Sequence, residues 1–133
     1  MKEVLIVDYK LGNILSLKRA LEFLGFKSKI SDKAEDIINA DMIILPGVGA
    51  YPYAMHNLNF YNLVDPLIEK SKSGTKILGI CLGMQLLMTE SHEFKKTPGL
   101  GLINGSVLSI NDKTKKKVKL PCIGWYQISK KKM

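Results

Sequence analysis

Long hydrophobic runs are missing from this chain. No stretch of its 133 residues approaches the ~20 apolar residues that a membrane-spanning helix needs. Residues 1–8 place a lysine before an apolar run, but the run is too short for a signal peptide and has an acidic residue within it. A first strand, and a cytoplasmic protein, are expected instead. Cysteine is scarce: Cys81 and Cys122 lie far apart in a chain without a secretion signal, which argues against a disulfide framework. Histidine is scarcer in effect, since His56 and His92 stand alone and no Cys or His spacing suits zinc. No metal and no cofactor are expected. Acidic residues are outnumbered, 12 against 20 basic, for a net charge of +8. Much of the excess falls in two blocks, Lys113, Lys115, Lys116, Lys117 and Lys119, then Lys130, Lys131 and Lys132. Neither block interleaves aromatics that could stack on bases, so a solvated hairpin and tail are expected rather than a nucleic-acid surface.

What the chain does contain is alternation. With 46% hydrophobic residues it can bury a core, and no repeat or linker divides it, so residues 1–133 read as one domain. Glu3–Val7 is a short apolar run ending in Asp8, the pattern of a buried parallel strand. Asn13 can cap the following helix, in which Leu17, Ala20, Leu21 and Leu24 recur at helical spacing until Gly25 stops it. Strands are expected at 27–31, 41–45 and 76–80. Helices are expected at 34–40, at 58–73 with Pro66 kinking it or opening its second half, and at 82–89. His56 falls in a polar loop on this reading. After Pro98 the pattern changes to short strands at 99–102, 106–110, 118–120 and 125–128, with Asn111-Asp112 in a turn. The whole is an α/β domain with a mostly parallel sheet flanked by helices and a small antiparallel region after residue 100.

Ligands of such sheets bind beyond the carboxyl ends of the strands. Three strand ends carry unusual residues: 8–13, Pro46-Gly47-Val48-Gly49-Ala50, and Cys81-Leu82-Gly83. The last belongs to Gly79-Ile80-Cys81-Leu82-Gly83, a cysteine version of the strand–nucleophile–helix elbow. Small residues two positions either side let the chain turn sharply and hold the sulfur out of the sheet. The start of a helix favours thiolate relative to a free thiol of pKa ~8.5, and the Leu82 amide is placed where an oxyanion would form. Taken alone, the same residues also fit a buried cysteine between two apolar elements. Gly47 and Gly49 free a second loop to turn its N–H groups toward an anion, as acyl transfer requires.

These residues, together with Asp8-Tyr9 and Gly12-Asn13, Met84-Gln85-Leu86-Leu87, residues 99–105 and Pro121 with Gly124-Trp125, resemble the class I (triad) glutamine amidotransferases. Among these the chain looks like the glutaminase subunits of imidazole glycerol phosphate synthases, with motifs in family order along almost its whole length. The resemblance implies a flavodoxin-like fold and assigns roles. Cys81 would attack the glutamine carboxamide, releasing ammonia and leaving a glutamyl thioester. Gly47, Val48 and Gly49, with Leu82, would hold the oxyanion. Gln85 and Glu93 would bind glutamine. Asn13 and Trp125 would lie near the interface with a barrel-shaped cyclase subunit, the heterodimer partner that receives the ammonia in histidine biosynthesis. Core packing is the equal alternative for Trp125.

The chain departs from that family in several places. Members run longer at the C-terminus, in a part that carries the catalytic histidine and glutamate in a His-Pro-Glu motif. His92 and His56 do not replace them, so the domain is expected to be incomplete at its C-terminus and to have little or no turnover alone, because ammonia departs without acid–base help. Lys10 stands where the family usually has glycine, Cys122 where histidine is common, and Tyr126 where asparagine is common. These changes, with residues 90–94, leave open an amidotransferase for a cell-surface sugar pathway. A catalytically dead subunit that at most docks on a partner is the other alternative.

Overall fold

A computed structural model describes residues 3–115 and 117–129. Four parallel strands form its main sheet in the order β2-β1-β3-β4, with β1 Glu3–Val7, β2 Lys27–Ser31, β3 Met42–Leu45 and β4 Lys76–Gly79. The order reverses between β1 and β3, which makes the carboxyl ends of these two strands the topological switch point of the sheet. Each strand places alternate residues on opposite faces. Leu5, Val7, Ile43 and Leu45 enter the larger core, while Val4, Ile6 and Ile44 enter a smaller one beneath Leu21.

Leu21 belongs to α1, Ile14–Phe23, whose N-cap Asn13 accepts a bond from the Ser16 amide at 3.3 Å. Gly25 ends it at φ 79°, as expected. Only part of its helical apolar pattern is buried, for Ala20 and Leu24 are exposed. On the other face, α2 spans Ala34–Asn39 and buries Ile37. Asp36 ties this helix to β2 by accepting from Ser31 Oγ at 2.5 Å and from Lys29 Nζ at 2.6 Å.

The long helix expected at 58–73 is two. One, α3, runs Tyr51–Phe60, and the other, α4, runs Val64–Lys72. Asn62 separates them at φ 56°. Pro66 sits in the first turn of α4, where its missing N–H has no intrahelical partner to lose. The earlier start of α3 corrects the reading of His56 as a loop residue. Tyr51, Ala54, Met55 and Leu58 form a buried stripe at helical spacing, and Pro52 is tolerated near the start.

The helix expected at 82–89 is shorter: α5 covers Leu82–Leu86. Residues Met88–Ser91 leave it to form β5, which pairs antiparallel with β6, Thr97–Pro98, and parallel with β7, Ile103–Val107. The second sheet is therefore mixed and begins before residue 100. Of the short strands expected there, only the one beginning at 106 overlaps a strand, β7. Residues Ile110–Lys113 form a helical turn, α6, and no strand occurs among described residues 117–129. Short apolar runs specify a strand only when a partner edge lies alongside, and described residues 117–129 have none. Among the described residues no helix is long and apolar enough to cross a membrane.

Candidate active site

The ladder between β3 and β4 continues one residue beyond the strand, with Ile80 N donating to Leu45 O at 3.0 Å. The chain then turns at once. Cys81 adopts φ 55°, ψ −117°, a region costly for a residue with a Cβ, on the order of 1–3 kcal/mol. Gly83 N closes on Ile80 O and Met84 N on Cys81 O, each at 3.0 Å. The thiol bearer is exposed, while Leu82 and Gly83 just behind it are buried.

Two glycines permit this turn. A Cβ on Gly79 would lie 2.5 Å from Met84 Cα, and one on Gly83 would overlap the Leu45 carbonyl oxygen. Neither obstacle is a flexible side-chain tip, so both positions exclude any larger residue. The small residues expected around Cys81 are demanded by close backbone approach of β3, the elbow and α5.

The 46–49 loop packs directly on the elbow. A Cβ on Gly47 would come within 2.9 Å of both Gly83 N and Leu82 Cβ, and would run into the Tyr9 hydroxyl. Val48 and Gly49 are exposed beyond it, with Gly49 at φ 131°. Leu82 N–H is the first amide of α5 and has no acceptor within the helix. The structure thus gathers Cys81, Leu82 and the loop carrying Gly47, Val48 and Gly49 at one end of the sheet. The third strand end joins them, since a Cβ on Gly12 would be 3.5 Å from Gly47 N. Asn13 follows Gly12 and caps α1.

Gln85 and Glu93 line one cavity of about 370 Å³, with Ser91, His92, Phe94 and Leu108 among the remaining walls. Glu93 also has a structural task that its position in the chain did not reveal. Its carboxylate accepts from Tyr51 N at 2.6 Å, at the first turn of α3, which begins where the 46–49 loop ends. Trp125 is fully exposed and packs in neither core among the described residues.

The residues missed by sequence reasoning lie beneath the site. Tyr9 is wholly buried, donates its hydroxyl to Pro46 O at 2.6 Å, and has its own carbonyl bonded by Asn57 Nδ2 at 2.9 Å. Burial, and secondarily the charge of Cys81, push the Tyr9 hydroxyl well above its ordinary value of 10.0. Its sequence signals, the unusual strand end at 8–13 and the Asp8-Tyr9 resemblance, give it no role of its own.

Neither histidine has Cys81 as a partner among the described contacts. His56 lies between Tyr53 and Phe60, with ring centroids 6.4 Å from each. His92 Nε2 meets Glu90 Oε1 at 2.9 Å, and Lys96, then His92, hold the Glu90 carboxyl below its ordinary value. Lys10 stands at φ 68°, a left-handed conformation that glycine adopts without a Cβ penalty. Its ammonium bonds Asp8 and Asp32 at 2.9 Å each and lies 5.4 Å from the Tyr61 ring centroid, and these bonds to Asp32 and Asp8 raise its pKa.

A parallel α/β sheet that presents a cysteine at a strained strand–helix elbow, against a glycine-bearing loop, defines a nucleophile-elbow domain. Residues 2–124 match the family described as the CobB/CobQ-like glutamine amidotransferase domain, and the chain belongs to that family. Among curated relatives, it is 44% identical over 129 residues to "Imidazole glycerol phosphate synthase subunit HisH" of Lactococcus lactis subsp. lactis (strain IL1403), covering 97% of this chain and 62% of that protein. It is 46% identical over 129 residues to the protein of that name in Listeria monocytogenes serotype 4b (strain CLIP80459), covering 97% and 61%. The chain therefore spans less than two thirds of the length of these relatives. A solved structure titled "Crystal structure of glutamine amidotransferase" superposes with TM-score 0.67 at 25% identity, over 78% of this chain and 55% of that one. A putative peptidase E from Listeria monocytogenes EGD-e superposes with TM-score 0.61 at 16% identity, over 77% and 63%, and shares the fold.

Proposed function

We propose that this chain carries the nucleophile half of a glutaminase site. The observation that carries the reading is the backbone of Cys81, held at φ 55°, ψ −117° between two glycines that admit no Cβ. The Cys81 thiolate adds to the carboxamide carbon of glutamine, forming a C–S bond and an oxyanion. Amides of Leu82 and of the 47–49 loop stabilise that oxyanion, a contribution worth about 3 kcal/mol per donor in comparable sites. Collapse breaks the C–N bond, and nitrogen leaves as ammonia after taking a proton. Water then cleaves the thioester to glutamate and restores the thiol. Gln85 and Glu93, sharing one cavity, bind the amino-acid end of the substrate.

The relatives are named as subunits, which supports delivery of ammonia to a partner cyclase or synthase in histidine biosynthesis, with Asn13 and the exposed Trp125 on the contact side. A cytoplasmic heterodimer fits this reading. With His56 and His92 engaged elsewhere, slow or absent turnover by the chain alone is part of it.

The test is a glutamine-like chloroketone followed by mass spectrometry, then ammonia release measured with and without the cyclase subunit. An adduct on Cys81 is expected, with little ammonia from the chain alone. A chain that iodoacetamide alkylates at Cys81 but the chloroketone does not would overturn the reading.

A further inference from the structure

Tyr9 brings together three features that neither stability alone nor the roles above account for. It is a fully buried tyrosine whose hydroxyl donates into the loop, to Pro46 O, rather than to solvent or to its own strand. That same hydroxyl occupies the space into which a Gly47 side chain would grow, so it touches the loop on both sides of the 46–47 peptide bond. Its backbone is pinned in turn by Asn57 of α3, the helix that leaves the far end of the loop. The loop is thus bolted at its first residue by Tyr9, and the helix after it is bolted to Tyr9.

A peptide plane held by its carbonyl has little freedom to rotate. Fixing the Pro46 carbonyl therefore restricts the direction of the neighbouring Gly47 N–H and limits how the glycine-bearing residues 47–49 can reorient. We propose that Tyr9 is a positioning residue, whose hydroxyl locks the 46–49 loop against the Cys81 elbow with its donors set for a tetrahedral oxyanion. The proposal rests on the glutaminase reading of the site and concerns how its donors are held.

Two alkylators separate this role from a merely structural one. A glutamine-like chloroketone reacts through addition of the thiolate to its ketone. Sulfur first bonds to the ketone carbon, giving an oxyanion that the donors must stabilise. It then shifts to the neighbouring methylene as the C–Cl bond breaks, so that chloride leaves and the C=O bond re-forms, and the thiol proton goes to solvent. Iodoacetamide alkylates the same sulfur by direct displacement of iodide, without an oxyanion. Both rates are measured against pH on the 133-residue chain and on Tyr9→Phe, with near-ultraviolet circular dichroism as the check of fold. If the variant is loosened, both proteins are measured in an excluded osmolyte that restores matched spectra.

Tyr9→Phe is expected to lower the chloroketone rate at least tenfold while leaving the iodoacetamide rate and its pH midpoint unchanged. Equal changes in both rates, or no change in either, overturn the proposal. A parent chain that takes iodoacetamide but not the chloroketone overturns the glutaminase reading itself, and does so before any substitution is made.

Discussion

Cys81 stores strain, and the strain has a measurable sign. Replacing it by glycine removes the thiol and also the Cβ that makes φ 55°, ψ −117° costly. Cys81→Gly is expected to raise unfolding free energy by about 1 kcal/mol in urea titration, because the relief outweighs the extra freedom of the unfolded chain. Gly83→Ala should do the reverse. Its methyl would overlap the Leu45 carbonyl, a backbone atom that cannot step aside, so a loss of about 3 kcal/mol is expected in the same titration. The motif was legible in the sequence because both requirements write themselves as residue types: a thiol, and glycine two positions either side. Glu93 was legible only in part. Its spacing from Cys81 put it in the loop beyond the helix, but its bond to Tyr51 N joins residues 42 apart, and no local pattern reports it. Glu93→Ala is expected to lower stability by about 1 kcal/mol, read as a lower thermal midpoint, through loss of a carboxylate at the start of α3.

Among the elements, α2 offers a pH test. Lys29, then Ser31, hold the Asp36 carboxyl below its ordinary value of 3.8. A depressed folded-state value means that the contribution of Asp36 is fully present above the unfolded value and is lost as pH falls through the folded one. The acid limb of stability, from about pH 4 downward, should therefore flatten in Asp36→Asn, whereas the slope above pH 5 stays the same. Thermal midpoints across pH 2–6 check this, and an unchanged acid limb would count against the pairing. The elements that the sequence reading placed well are those whose period is local: β1, α1, β2, α2 and the strands before each site loop. Those it misplaced depend on distant partners. Residues Met88–Ser91 continue a helical run by composition, yet pair with strands at 97–98 and 103–107 because their edge groups find bonding partners there. The start of α3 was hidden differently. Its stripe of Tyr51, Ala54, Met55 and Leu58 is regular, but tyrosines, a proline and His56 masked it as a loop.

For the molecule as a whole, the two faces of the main sheet are unequal. The face carrying Leu5, Val7, Ile43 and Leu45 packs under several helices, whereas the other has α1 as its helical cover. An apolar cleft of about 240 Å³ opens there, walled by Val4, Leu21, Phe26, Ile44 and Leu78, and Leu78 on outer strand β4 is 57% exposed. Parallel sheets are ordinarily covered on both faces, and an apolar patch left open favours association. The 133-residue chain should therefore bind an apolar reporter dye and sediment with a concentration-dependent mass. Leu78→Lys is expected to reduce both without loss of helical signal. A stable monomer that leaves the dye dark would overturn this expectation.

The sequence by itself determined the alternation of strand and helix, the three loaded strand ends and the cysteine flanked by glycines at the elbow, because each rests on local periodicity or on a residue type that a tight turn requires. Only the tertiary structure decided how those strand ends meet. It set β1 beside β3 at the reversal of strand order, brought Gly47 against Leu82, put Gln85 and Glu93 around one cavity and buried the Tyr9 hydroxyl on the Pro46 carbonyl. Most of those contacts join residues tens of positions apart, and their energy comes from packing density and from burying paired polar groups. Neither quantity has a value until the chain is folded.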